Sequence, residues 1–200
     1  VIAPLSVVIA HRFGTKVVVV SGMALIALGL GLLSRTTVAG TYRDCIAAFL
    51  VLGVGVALAL APSTESVMGS LPKEEAGVGS ATNDTAMQLG GALGVGVLGT
   101  ALILRYQHLV SPVVAHAGVP ASVQGLIKSS LGAALAVSQH APAPLGSELA
   151  LLARRSFVSG MDLAMMIAAA VVAVAAVLVL VLLPNQGTAV ATADRPEAIL

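Results

Sequence analysis

The chain has 200 residues, of which 58% are hydrophobic and only 10% charged, with a formal net charge of +1. Its mean hydropathy is +1.01, whereas in soluble domains about a quarter of residues are charged. Near-neutrality gives no support to a nucleic-acid partner. The single cysteine, Cys45, excludes an internal disulfide and a cysteine-based metal cluster.

An α-helix rises about 1.5 Å per residue, so roughly twenty apolar residues cross a hydrocarbon core of about 30 Å. Residues 1–10 are apolar from Val1, with no initiator Met, charged leader or cleavage site. They read as the second half of a first span, and hence of a longer membrane protein. The turn Arg12–Lys16 leads into span two, about residues 17–34, and Gly14 supplies the φ > 0 that a tight interhelical turn needs. Span three covers about 45–68 and contains Pro62, expected to kink it. Span four covers about 81–104 and span five about 157–183, ended by Pro184. Backbone groups in lipid must hydrogen-bond within their own segment, so each span is expected to be a helix. The fold class is therefore all-α membrane protein, with four full spans and one truncated. Four of the five aromatic residues (Phe13, Tyr42, Tyr106 and Phe157) stand beside span ends, where such rings settle.

Residues 105–156 are more polar and read as an extramembrane connector. Val123, Leu126, Ile127, Leu131, Ala134 and Leu135 recur at helical spacing, so the connector should carry short helices, broken by Pro142 and Pro144. Residues 185–200 read as a polar, disordered tail. The Lys and Arg count sets Arg35, Arg43, Arg105, Lys128, Arg154 and Arg155 on one side against Arg12, Lys16, Lys73 and Arg195 on the other. It favours the first side as cytoplasmic.

Polar residues in and beside the spans are the candidates for function. Glu65 follows Pro62 near the end of span three; it either reaches interfacial water or serves as a gate or proton-linked carboxylate. Asn83, Asp84 and Gln88 open span four, with Asp84 and Gln88 on one face. They either cap the helix or line a substrate path. Gly90, Gly91, Gly94 and Gly96 form small-residue faces suited to close helix packing, or to sliding during a conformational cycle. Asp162, among Met161, Met165 and Met166, is a further substrate-path candidate. The histidines at 11, 108, 116 and 140 lack ligand spacing, and no nucleophile–base set or phosphate-binding loop occurs. Neither an enzyme, a metal nor a cofactor is expected.

Residues 62–72 (PSTESVMGSLP), 77–85 (GVGSATNDT), 88–95 (QLGGALGV), 130–137 (SLGAALAV) and 157–161 (FVSGM) closely resemble the major facilitator superfamily. The nearest branch is its fourteen-span drug:proton antiporters, the bacterial multidrug exporters. The resemblance covers nearly the whole chain. It implies the C-terminal part of such a bundle, with the five spans as the family's tenth to fourteenth. It also implies an inner-membrane location and alternating access. The Arg12–Lys16 turn and the tail would be cytoplasmic and the connector external, the reverse of the charge count. Arg12, Gly14 and Lys16 would belong to a loop at the cytoplasmic gate, with Glu65 and Asp84 near it; His11 stands there at an otherwise acidic position. Met87 replaces an Arg usual in relatives. The partners implied are the lipid bilayer, the N-terminal helices of the same transporter, protons, and small amphipathic or cationic substrates. The competing reading is a truncated remnant or a subunit that only packs against other helices.

Overall fold

The computed structural model describes residues 14–35, 42–69, 72–116 and 119–182, and all their regular structure is helical. The half-span at 1–10, Arg12 and the tail at 185–200 lie outside the described residues. Helix α1 spans Thr15–Leu33, α2 Tyr42–Gly69, α3 Ala76–His116, α4 Ala121–Ser129, α5 Leu131–His140 and α6 Leu145–Leu182, with a 3-10 turn at Lys73–Glu75 before α3. Four of these, α1, α2, α3 and α6, are long and apolar enough to cross a membrane.

Helix α1 starts after Gly14, whose φ of 89° lies in the left-handed region that a Cβ disfavours. It ends where the Ser34 backbone N–H donates to Leu30 O and the Ser34 hydroxyl donates to Gly31 O at 2.9 Å. Its neighbour α2 runs through Pro62 without ending, and that ring is fully buried. Proline leaves the carbonyl of Leu58 without its helical donor. Ser63 and Thr64 turn their hydroxyls back onto Ala59 O and Leu60 O, at 2.7 and 3.1 Å.

Glycine sets how close α1 and α2 come. A Cβ at Gly22 would lie 2.7 Å from Ala59 N and 2.8 Å from Gly55 O, and one at Gly29 would lie 2.9 Å from the Leu52 Cβ. The pairs 22 with 55–59 and 29 with 52 make the two helices antiparallel. Lipid offers no hydrophobic drive for helices to associate, so backbone contact through small residues supplies the attraction.

Side by side the long helices follow the order α2, α1, α6, α3, and α2 and α3 touch little. At 41 residues α3 is about 60 Å long, twice the hydrocarbon thickness. The sequence suggests a span end at Leu104, yet the helix continues to His116. The physical reason is a stripe of Tyr106, Val110 and Val114, four residues apart, buried against Ile127, Ala134 and Ala153. Helix α6 likewise begins at Leu145, ahead of Phe157, because Ala153 and the flanking Leu149 complete that cluster.

The connector's apolar stripe, read from sequence as one helix face, divides at Ser130. Its extended backbone (φ −164°, ψ 158°) separates α4 from α5, and its Oγ accepts the N–H of Ala133 at 3.1 Å. Ile127 and Ala134 turn inward, whereas Leu126 is exposed. The Tyr106 hydroxyl donates to Ile127 O at 2.9 Å and ties α4 to α3.

Candidate functional site

Two regions hold the polar residues of the long helices. The first lies where α2 gives way to α3. Glu65 is exposed near the end of α2, and Asp84 and Gln88 are exposed on α3. Half-buried Asn83 donates through Nδ2 to the Met87 sulfur at 3.6 Å. Because α3 begins at Ala76, Asn83 and Asp84 stand two turns inside it and do not cap its N-terminus. The 3-10 turn displaced that start, with the Glu75 N–H donating to Pro72 O at 3.0 Å. Thr82 and Thr85 satisfy their hydroxyls on Val78 O and Ala81 O. Asn83, Asp84 and Gln88 thus share one end of α3, while Asp162 belongs to a separate region. Lys16 is half-buried in the first turn of α1.

The glycine face of α3 looks onto open space. A Cβ built at Gly90, Gly91, Gly94 or Gly96 meets nothing within 4 Å. Large apolar neighbours on the same helix are uncovered too, Val95 to 77% and Leu93 to 68%. Among the described residues the glycines that bring helices together are others: Gly22, Gly29 and Gly55 between α1 and α2, Gly160 between α3 and α6, and Gly146, whose Cβ would strike Ser138 O of α5. The spacing of Gly22 and Gly29, seven apart and so on one face, was the signal for the first pair.

The second region is the α3–α6 crossing. A Cβ at Gly160 would lie 2.6 Å from Leu102 O, so the two backbones touch. One turn along α3, the Arg105 Nε donates to the Ser159 Oγ at 3.4 Å, a long hydrogen bond. Asp162 lies two residues beyond Gly160, on the side of α6 turned away from Leu102, and its Oδ1 is buried without a hydrogen-bond partner among the described residues. The sequence pointed to Asp162 and its neighbour Gly160, but not to Arg105 or Ser159 as members of a site. Chemically, the Asp162 carboxylate can hold a proton or a cation.

No family model matches the chain. Over 89% of its length it is 33% identical to a multidrug efflux pump of Mycolicibacterium smegmatis, LfrA, covering 35% of that protein. It is 30% identical to the tetracenomycin C resistance and export protein of Streptomyces glaucescens, over 89% of the chain and 34% of that protein. It is 28% identical to the methyl viologen resistance protein SmvA of Salmonella typhimurium, over 78% of the chain and 31% of that protein. The relatives it matches are multidrug efflux and resistance proteins of the major facilitator type. It spans about a third of the length of the curated relatives it matches. The first two of these relatives are an efflux pump and an export protein by name, in keeping with the four apolar helices.

Proposed function

We propose that this chain is the C-terminal helical portion of a proton-coupled exporter of small amphipathic or cationic compounds, working by alternating access in a bacterial inner membrane. The observation that carries the reading is the match to a multidrug efflux pump at 33% identity over 89% of the chain. The uncovered glycine face of α3 supports it, since such a face accepts further helices. Those helices would come from the rest of the same transporter, which in transporters of this kind completes two repeats around a midplane site. The connector with α4 and α5 would face outward. Glu65 and Asp84 would stand with Arg12, Gly14 and Lys16 at the cytoplasmic mouth, while Asn83, Gln88 and Asp162 would border the path.

The test uses the full-length protein in inverted membrane vesicles under an imposed proton gradient. Methyl viologen, tetracenomycin C and a quinolone are offered, the compound classes in the names of its relatives. Gradient-dependent accumulation of any of them supports the reading. Accumulation that ignores the gradient overturns proton coupling, and no accumulation of any compound overturns export.

A further inference from the structure

We propose that the flank of the α3–α6 crossing binds an anionic phospholipid, with the headgroup phosphate between Arg105 and Arg155 and an acyl chain along Leu163 and Met166. The site is centred on the Ser159 hydroxyl. The Arg105 Nε donates to its Oγ at 3.4 Å, and Arg155 stands one turn before Ser159 on the same face of α6. Side chains four apart on a helix have Cβ atoms about 6 Å apart. Two guanidinium groups therefore neighbour one half-buried hydroxyl, and both arginines are exposed.

Arginine stays charged, so two guanidinium groups gathered at one point repel unless an anion lies between them. The chain offers little to neutralise them. Between residues 105 and 156, Arg105, Lys128, Arg154 and Arg155 are set against a single acid, Glu148. Glu148 is exposed two turns before Arg155. Asp162 follows Ser159 by three residues, on the side of α6 turned away from Leu102, and no hydrogen bond reaches its Oδ1 among the described residues. A phosphodiester supplies the missing charge. Each planar guanidinium can hold two of its oxygens at once, and Ser159, which accepts from Arg105, keeps its own proton to donate.

The position along the helices selects a lipid as the source of that phosphate. Arg105 directly follows the apolar run that ends at Leu104, and Arg155 precedes the one that opens at Phe157. The pair thus stands where hydrocarbon gives way to headgroups. Leu163 and Met166 follow Ser159 by four and seven residues on the same face, and both are exposed. Among the described helices α6 touches α1, α3 and α5, and that contact leaves the Ser159, Leu163 and Met166 face open. Cations and a hydroxyl at one end, with uncovered apolar side chains beneath, match a phospholipid from headgroup to tail. A helix docking here would be favoured by small residues, whereas Leu163 and Met166 are large.

The experiment uses the full-length protein, purified in detergent and mixed with phosphatidylglycerol, with phosphatidylcholine of the same acyl chains, or with inorganic phosphate. Phosphatidylglycerol raises the melting temperature of the wild type by several degrees, and the other two raise it by less than half as much. Arg105→Gln and Arg155→Gln each lose most of that shift. Arg154→Gln, placed about 140° round α6 from Ser159, keeps it. An equal shift with phosphatidylcholine, or the full shift in both glutamine variants at 105 and 155, overturns the site. An equal shift with inorganic phosphate overturns the lipid as its occupant. No shift in the wild type overturns the proposal as well, the result expected if another helix covers this face. Where the variants do not purify, the wild type decides. Phospholipid carried through its purification is richer in phosphatidylglycerol than the membrane it came from, and equal composition overturns the site. Transport enters neither readout, so failure of the efflux reading leaves this test intact.

Discussion

Gly22 of α1 and Gly55 of α2 face each other backbone to backbone: a Cβ on either would stand 2.8 Å from the carbonyl oxygen of the other. No carbon atom fits at that separation, so any side chain here forces two membrane helices apart. The contact yields a direct prediction. Gly22→Ala and Gly55→Ala each destabilise by about 1–3 kcal/mol, the usual cost of overpacking. Gly31→Ala and Gly53→Ala, where a Cβ meets nothing within 4 Å, are neutral or stabilising by about 0.5–1 kcal/mol, because alanine favours the helix. Melting in detergent and membrane abundance of the four variants check the contrast.

A second prediction concerns the open face of α3. Gly94→Leu leaves the membrane level of the 200-residue chain unchanged, because a Cβ at this position meets nothing within 4 Å among the described residues. On the proposed reading, in which further helices of the same transporter cover that face, the same change in the full-length protein lowers membrane abundance and transport. Equal abundance and transport for wild type and variant of the full-length protein would remove the close-packing argument for Gly90, Gly91, Gly94 and Gly96.

Tyr106 anchors the connector. Tyr106→Phe loses one buried hydrogen bond, to Ile127 O, at a cost of about 0.5–1.5 kcal/mol. Tyr106→Ala empties the cluster formed with Val110, Val114, Ile127, Ala134 and Ala153, and costs about 3–5 kcal/mol. Limited proteolysis within residues 119–144 should be faster in the alanine variant, with the phenylalanine variant close to wild type.

Much of this organisation was legible beforehand, and the reason is physical. Lipid admits only helices of sufficient apolar length, so α1, α2 and the central parts of α3 and α6 follow from composition alone. Helix ends were harder. Beyond Leu104 the residues alternate apolar and polar, which describes both a loop region and an amphipathic helix. Only the partners of Tyr106, Val110 and Val114 distinguish the two, and they lie far along the chain. The packing glycines were harder still. Gly53 and Gly55 look alike in sequence, yet one meets open space and the other a neighbouring backbone, because facing depends on where α1 sits. At the candidate site, Asp162 was visible as a carboxylate in an apolar run. Arg105 and Ser159 were not, since their meeting depends on the α3–α6 crossing.

Glu65 and Asp84 carry a prediction for the cytoplasmic mouth. If the two form a latch there, Glu65→Gln and Asp84→Asn each alter transport while insertion stays normal, and the double variant is no worse than the poorer single one. Additive losses, or reduced insertion without a transport change, would assign both carboxylates to the solvated ends of their helices. Transport normalised to membrane abundance is the readout.

Export is tested most directly by the amount of compound held inside living cells. Bacteria expressing the full-length protein are compared with the same strain carrying an empty vector, after equal exposure to methyl viologen, tetracenomycin C or a quinolone. A proton-coupled exporter lowers the intracellular accumulation of at least one of them, with the difference erased when the proton gradient is collapsed. Equal accumulation of all three, with the protein present in the membrane, would contradict export.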